Sequence, residues 1–308
     1  MSEPNLTATA ALIALDAAEA PRTLPNFSLN RAPFEIRALK SGFLTALTWI
    51  AALLASVPLF SVIYMLVIEG GSRLDWEALT ALPPSAFEQG GGFGNAIVGT
   101  LVMVGLATVI SVPIGIFAAI YLAILDPDSR LAHSVRFLSK ALTGFPSILA
   151  GVFVYAVLVV IMKTYSALAG GVALAVLMLP TVVLAAEQAM MMVPKKMKDA
   201  AFGMGCTRAQ VIWKVVLPTG APGILTGVML AIAGAAGNSA PLLFTALFSG
   251  YYLTRLTEPT ASLAILIFNF SGMPYDNQIE LAWAASLVLV LVVLVFNILA
   301  RIIGRQKH

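Results

Sequence analysis

Charge, cysteine and histidine are all scarce in this sequence. Only 11% of the 308 residues are Asp, Glu, Lys or Arg, against 59% hydrophobic and a mean hydropathy of +0.93, whereas soluble domains carry about 25% charged residues. That balance excludes an ordinary water-soluble domain and leaves a membrane-embedded protein. One cysteine, Cys206, excludes an internal disulfide framework, and two histidines, His133 and His308, leave little from which to build a metal site. No G-x-x-x-x-G-K-[ST] phosphate loop occurs. The chain therefore binds no nucleotide of its own through that motif, and any ATP hydrolysis it serves must come from another polypeptide. No nucleophile–base pair stands out, so no catalytic residue is assigned and an enzyme is not expected. Mid-membrane carboxylates for a proton relay are also lacking, which speaks against an ion-coupled secondary carrier. No metal, cofactor or nucleic-acid partner is expected for this chain.

Apolar runs long enough to cross a bilayer, which takes about 20 residues, recur along the chain. They fall at 43–68, 95–125, 137–162, 166–186, 221–248 and 281–303. The expected fold is all-α, with six transmembrane helices over 43–305 and a polar N-terminal tail, partly disordered, over 1–42. Fifteen of the eighteen Lys and Arg residues lie in the tail, the 126–140 loop, the 187–220 loop and the C-terminus. Arg73, Lys163 and Arg255 alone fall on the other side. The positive-inside rule then places both termini and the 187–220 loop in the cytoplasm.

That loop contains the segment Asp199–Pro218, DAAFGMGCTRAQVIWKVVLP. Pro194 suits the first turn of a helix, with Met197, Ala200, Ala201 and Met204 on one face and Lys195, Lys196, Lys198 and Asp199 on the other. Gly205 permits the left-handed turn that ends it. Thr207 and Gln210 have the spacing of a capping box for a second helix, which Pro218 is expected to stop. From the residues alone, a helix that docks in a partner's groove and an unpartnered amphipathic surface loop both fit.

Asp199-Ala200-Ala201, Gly205, Val215 and Leu217-Pro218 stand at the gaps of the coupling loop of ATP-binding-cassette import permeases, which reads Glu-Ala-Ala, Gly, Ile and Leu-Pro there. The segment thus resembles the part of that family that docks in a cleft of the cytoplasmic ATPase. Lys198 and Asp199 are implied to anchor it, Ala200 and Ala201 to give close fit, and Gly205 to make the turn.

The fifth run carries a ridge of small residues, Gly223, Gly227 and Ala231, suited to close helix packing. Beyond it, Pro241 is expected to loosen the helix beside Asn238 and Ser239, with Thr245 two turns on. Thr100, Thr108, Ser111 and Pro113 on the second run, and Thr143, Gly144, Pro146 and Ser147 on the third, are further polar and helix-breaking positions. Such groups at membrane depth need neighbours or a water-lined cavity. Kinked packing fits each singly, while their concentration favours a pathway lined by Asn238, Ser239, Pro241, Thr245, Ser147 and Thr143.

Gly237–Thr245, GNSAPLLFT, is similar to the GETAPLLFT signature of one permease subunit class of phosphate importers. Ala96–Leu122, Leu138–Tyr155, Glu258–Leu263 and Leu281–Ala285 agree with the same class, so the similarity covers about 40–305. It implies the type I import permease fold in a bacterial inner membrane. The implied partners are a second permease, two cytoplasmic ATP-binding subunits that use ATP and Mg, an external phosphate-binding protein, and membrane lipid. Asn238 stands where that class usually has Glu, and Gly234 where it has Arg. Phosphate remains the implied substrate, with another oxyanion as the alternative.

Overall fold

The computed structural model describes residues 36–303, which are helical with no strand among them. The expected N-terminal tail lies outside the described residues except for its last few positions. The chain divides into two units, residues 1–60 and 61–308.

Helix α1 (Ile36–Ser72) contains the first apolar run, and its window of highest hydropathy has no buried residue. A short helix α2 (Trp76–Thr80) follows, capped by the Asp75 carboxylate on the Ala78 amide. The second span is α3 (Gly94–Leu125), ending in a π-helical turn at Tyr121–Leu125. The glycine run before it is tied down: Gly91 N–H donates to Glu77 Oε1 at 3.0 Å and Gly92 N–H to the Leu82 carbonyl at 2.9 Å. The Glu77 carboxylate of α2 thus takes the Gly91 amide, and the Leu82 carbonyl takes the next, so neither is left for an outside anion.

The third run differs from expectation. It is a pair of helices, α4 (Arg130–Thr143) and α5 (Ser147–Met162), bent by 108° at Gly144–Pro146. Pro146 disfavours the helical conformation at the preceding residue, and Gly144 leaves no side chain to bridge the break. α4 is amphipathic: Arg130, Ser134 and Lys140 are exposed polar positions, while Ala132 and Ser139 are buried. The described residues therefore hold five spans of ordinary form, with α4–α5 as a sixth only if the bent pair is counted as one.

α6 (Ala167–Met191) is the most buried span and packs between α3 and α8 (Arg208–Ala236). Gly170 and Gly171 admit Met103 and Leu106 of α3, and Gly115 of α3 lies against Val182. On its other side the small-residue ridge of α8 does what its spacing predicts. A Cβ on Gly223 would stand 2.8 Å from the Ala189 Cβ, and one on Gly227 would collide with that of Ala185.

Two expectations about α8 fail. Pro218 does not stop it, because a π-helical turn at Ile212–Val216 precedes the proline. The wider turn relieves the clash between the ring and the carbonyl four residues back. At the other end the helix stops at Ala236 instead of running to 248. Gly237 and Asn238 break the chain, and Pro241 opens a separate short helix, α9 (Ala240–Leu243). There is no continuous helix on which Asn238 and Thr245 could share a face.

Helix α10 (Leu263–Ser271) is buried against α3 and the last span, α11 (Asp276–Ile303). Thr100 serves this packing: its hydroxyl accepts from the Leu263 amide and donates to the Ala96 carbonyl, both at 2.8 Å.

Candidate functional site

The 195–220 segment folds largely as its sequence dictates. Helix α7 (Lys195–Gly203) begins after Pro194, and Gly205 adopts φ +82°. Open space surrounds its missing Cβ, so what the position demands is the left-handed backbone itself. Thr207 caps α8, accepting from Gln210 N–H while Gln210 Oε1 accepts from Thr207 N–H at 2.8 Å. Thr207→Ala should cost about 1 kcal/mol, read as a lower thermal midpoint and faster proteolysis near Gly205.

The expected division of α7 into two faces is revised. Ala201 is buried in the main apolar core with Met190, Val193, Val211 and Ile212, so it holds the helix to its own chain. Met204, expected on the same face, is 78% exposed. Lys198 is half-buried, its Nζ donating to the Met190 carbonyl at 3.4 Å. The surface left free consists of Lys195, Lys196, Met197, Asp199, Ala200, Phe202 and Met204. Leu217 and Pro218 sit within α8, Leu217 half-buried on the core and Pro218 exposed.

The two polar stretches proposed for a path, far apart in sequence, come together. Thr143 ends α4, with Oγ1 donating to the Lys140 carbonyl, and Ser147 begins α5. One turn past Ser147, Gly151 lies against Pro241, where an added Cβ would be 2.6 Å from the Pro241 Cα. Asn238 and Ser239 are half-buried beside that contact. Thr245 is fully buried, its hydroxyl donating to the Pro241 carbonyl at 2.9 Å and its carbonyl accepting from the Ser166 amide, so it locks α9 to the start of α6. Gly234 faces open space.

The sequence reading missed one ionic node altogether. Arg136 of α4 reaches Glu187 of α6, Nε to Oε1 at 2.5 Å, and its remaining nitrogens donate to the carbonyls of Pro127 and Leu122 at 2.7 Å each. The Glu187 side chain is 3% exposed. One guanidinium thereby ties together the end of α3, the following loop, α4 and α6, and α6 leads directly into α7. The available signal was a lone carboxylate at the end of an apolar run, which must find a partner.

No group of His, Cys, Asp and Glu that could hold a metal occurs among the described residues. What the segments offer is mechanical: an exposed short helix joined through a glycine turn to one span and through Pro194 to another.

The sequence matches the family described as "Binding-protein-dependent transport system inner membrane component" over residues 111–307. It is 40% identical to the phosphate transport system permease protein PstA of Yersinia pestis, across 80% of this chain and 84% of that protein. It is 37% identical to the protein of the same name from Pasteurella multocida, across 91% and 99%. Among solved structures, it is similar to a chain of a bacterial alginate ABC transporter with TM-score 0.62 and 16% identity, covering 88% of this chain and 99% of that one. A chain of the MetNI methionine ABC transporter gives TM-score 0.56 and 21% identity, covering 70% and 93%. The structures establish the fold, that of type I import permeases, and the sequence matches establish that the chain belongs to the binding-protein-dependent permease family, as a multi-pass membrane transport subunit.

Proposed function

We propose that this chain is one of two permeases of an ATP-driven importer of inorganic phosphate in a bacterial plasma membrane. The observation that carries the reading is the 40% identity, sustained over 84% of its length, with the Yersinia pestis phosphate transport permease. The second permease, two ATP-binding subunits that use ATP and Mg, and an external phosphate-binding protein complete the machine. Both termini and α7 face the cytoplasm, as the distribution of Lys and Arg favours.

In this reading α7 seats in the ATPase. Lys198 and Asp199 anchor it, Ala200 and its exposed neighbours Met197 and Met204 make the contact, and Ala201 transmits the motion inward. ATP binding draws the two coupling helices together. α6 and α8 move with α7, because Ala201 and the glycine ridge bind them into one core. The path flanked by Ser147, Thr143, Asn238, Ser239 and Pro241 then opens outward to receive the anion, with Thr245 holding the adjoining turn. Gly234 and Asn238, uncharged where charge is usual, support a second reading in which another oxyanion is carried.

Coexpression with the cognate subunits in cells lacking their own phosphate importer tests the assignment. Labelled phosphate uptake that requires the ATP-binding subunits supports it, and preferential uptake of sulfate or molybdate would replace the substrate. Gly205→Val tests the turn. Left-handed strain on a branched residue of about 1–3 kcal/mol should lower uptake roughly tenfold while membrane insertion and ATP hydrolysis persist. Normal ATP-driven uptake in this variant would refute the role given to Gly205.

A further inference from the structure

We propose that a groove between α8 and α11 is a binding site for a phosphate-type oxyanion at the membrane surface, built on Arg301. The groove encloses about 360 Å³ and is lined by Thr226 and Met229 of α8 and by Asn297 and Arg301 of α11. Asn297 and Arg301 are four residues apart on one helix and so share a face. Thr226 and Met229 are similarly placed on the other helix.

The donors present suit an anion. Arg301 is exposed, and no described residue offers it an ion pair or hydrogen bond, so its guanidinium fork is available. Asn297 uses one amide hydrogen on the Val293 carbonyl at 2.8 Å and keeps the other. The Thr226 hydroxyl spends its one hydrogen on the Pro222 carbonyl at 2.8 Å, so it adds no donor and leaves an accepting oxygen and a methyl on the groove wall. A carboxylate that would compete for Arg301 is absent from the lining residues.

Depth fits the same ligand. From Leu281, where α11 becomes predominantly apolar, to Arg301 is a rise of about 30 Å at 1.5 Å per residue, the thickness of a bilayer's hydrocarbon layer. Exposed Val290, Leu291, Leu294, Val295 and Ile298 occupy the interval. The guanidinium therefore stands at the level of lipid headgroups, below an apolar wall that would accept acyl chains. Basic pockets between spans at that level suit acidic phospholipids. Free inorganic phosphate presents the same oxyanion, and only this second source rests on the transport reading.

The test compares the purified full-length chain with Arg301→Gln and Arg301→Lys in two arms. One measures phosphatidylglycerol retained after detergent washing, by native mass spectrometry. The other measures inorganic phosphate binding in lipid-free micelles. The site predicts that Arg301→Gln loses binding roughly fivefold to tenfold in at least one arm, with Arg301→Lys between it and the parent. Loss confined to the lipid arm assigns a headgroup, and this result stands even if phosphate uptake is never observed. Loss confined to the phosphate arm assigns the free ion. Arg301→Gln indistinguishable from the parent in both arms overturns the proposal.

Discussion

Arg136→Ala should destabilise the folded chain by about 3–5 kcal/mol, the cost of leaving a buried charge without its partner. The Glu187 carboxyl, 3% exposed, would be left without its partner in a site that water barely reaches, and the carbonyls of Leu122 and Pro127 would lose their donors as well. Glu187→Gln should cost less, since a neutral amide can still accept from Arg136, although the guanidinium is then uncompensated. Replacing both at once, Arg136→Met with Glu187→Leu, should recover most of the loss, because a buried ion pair exchanged for apolar groups of similar volume is often close to neutral. Thermal midpoints of the detergent-solubilised chain read all three. Were the Arg136→Ala midpoint within error of the parent, the pair would be an ordinary surface contact and the node would have no structural weight.

The difference between local and distant information explains which parts of this structure could be read beforehand. Gly205, Thr207 and Gln210 were legible because each answers a demand of its own backbone neighbourhood: a left-handed turn and a reciprocal pair of hydrogen bonds. The ridge of Gly223, Gly227 and Ala231 was legible because helical period alone brings those positions to one face. Hydropathy found the spans but merged α4 with α5, since a bilayer-length average does not register the break at Gly144 and Pro146. The register of Leu131, Val135, Leu138 and Leu142 against Arg130, Ser134 and Lys140 already marks α4 as amphipathic. Pro218 misled in the opposite direction. A proline normally ends a helix, but the π turn at Ile212–Val216 accommodates it, and nothing in the composition of that turn announces its extra residue. The Arg136–Glu187 node was illegible as a pair, because 51 residues separate its members and only the packing of α4 on α6 unites them. The meeting of Gly151 with Pro241 is likewise a product of tertiary packing.

Gly227→Val should separate α8 from α6 and lower stability by about 1–3 kcal/mol, the usual cost of adding methyl groups to a filled interface. Even the first added carbon would collide with the Ala185 side chain, and a Cβ added to Gly223, one turn away, would stand 2.8 Å from the Ala189 Cβ. Neither neighbour is the end of a long side chain able to swing aside, so the helices themselves must move. A smaller step, Gly227→Ala, isolates that first carbon, and Ala185→Gly on the facing helix removes the atom it meets. If close approach is the reason for the glycine, the pair Gly227→Ala with Ala185→Gly should be more stable than Gly227→Ala alone, with a coupling of at least ~0.5 kcal/mol as expected for residues in direct contact. A destabilised single variant without rescue would instead assign Gly227 a need for backbone freedom, and an unaffected Gly227→Val would show that the spans have room to spare. The result bears on transport as well as on folding. α6 and α8 flank α7 in sequence and meet along this ridge, so a motion delivered to α7 can move both spans together only while the ridge holds them in contact. In the importer reading, Gly227→Val should therefore reduce uptake per folded molecule more than Thr207→Ala does, since the cap stabilises one end of a helix whereas the ridge joins the two spans that must move as one.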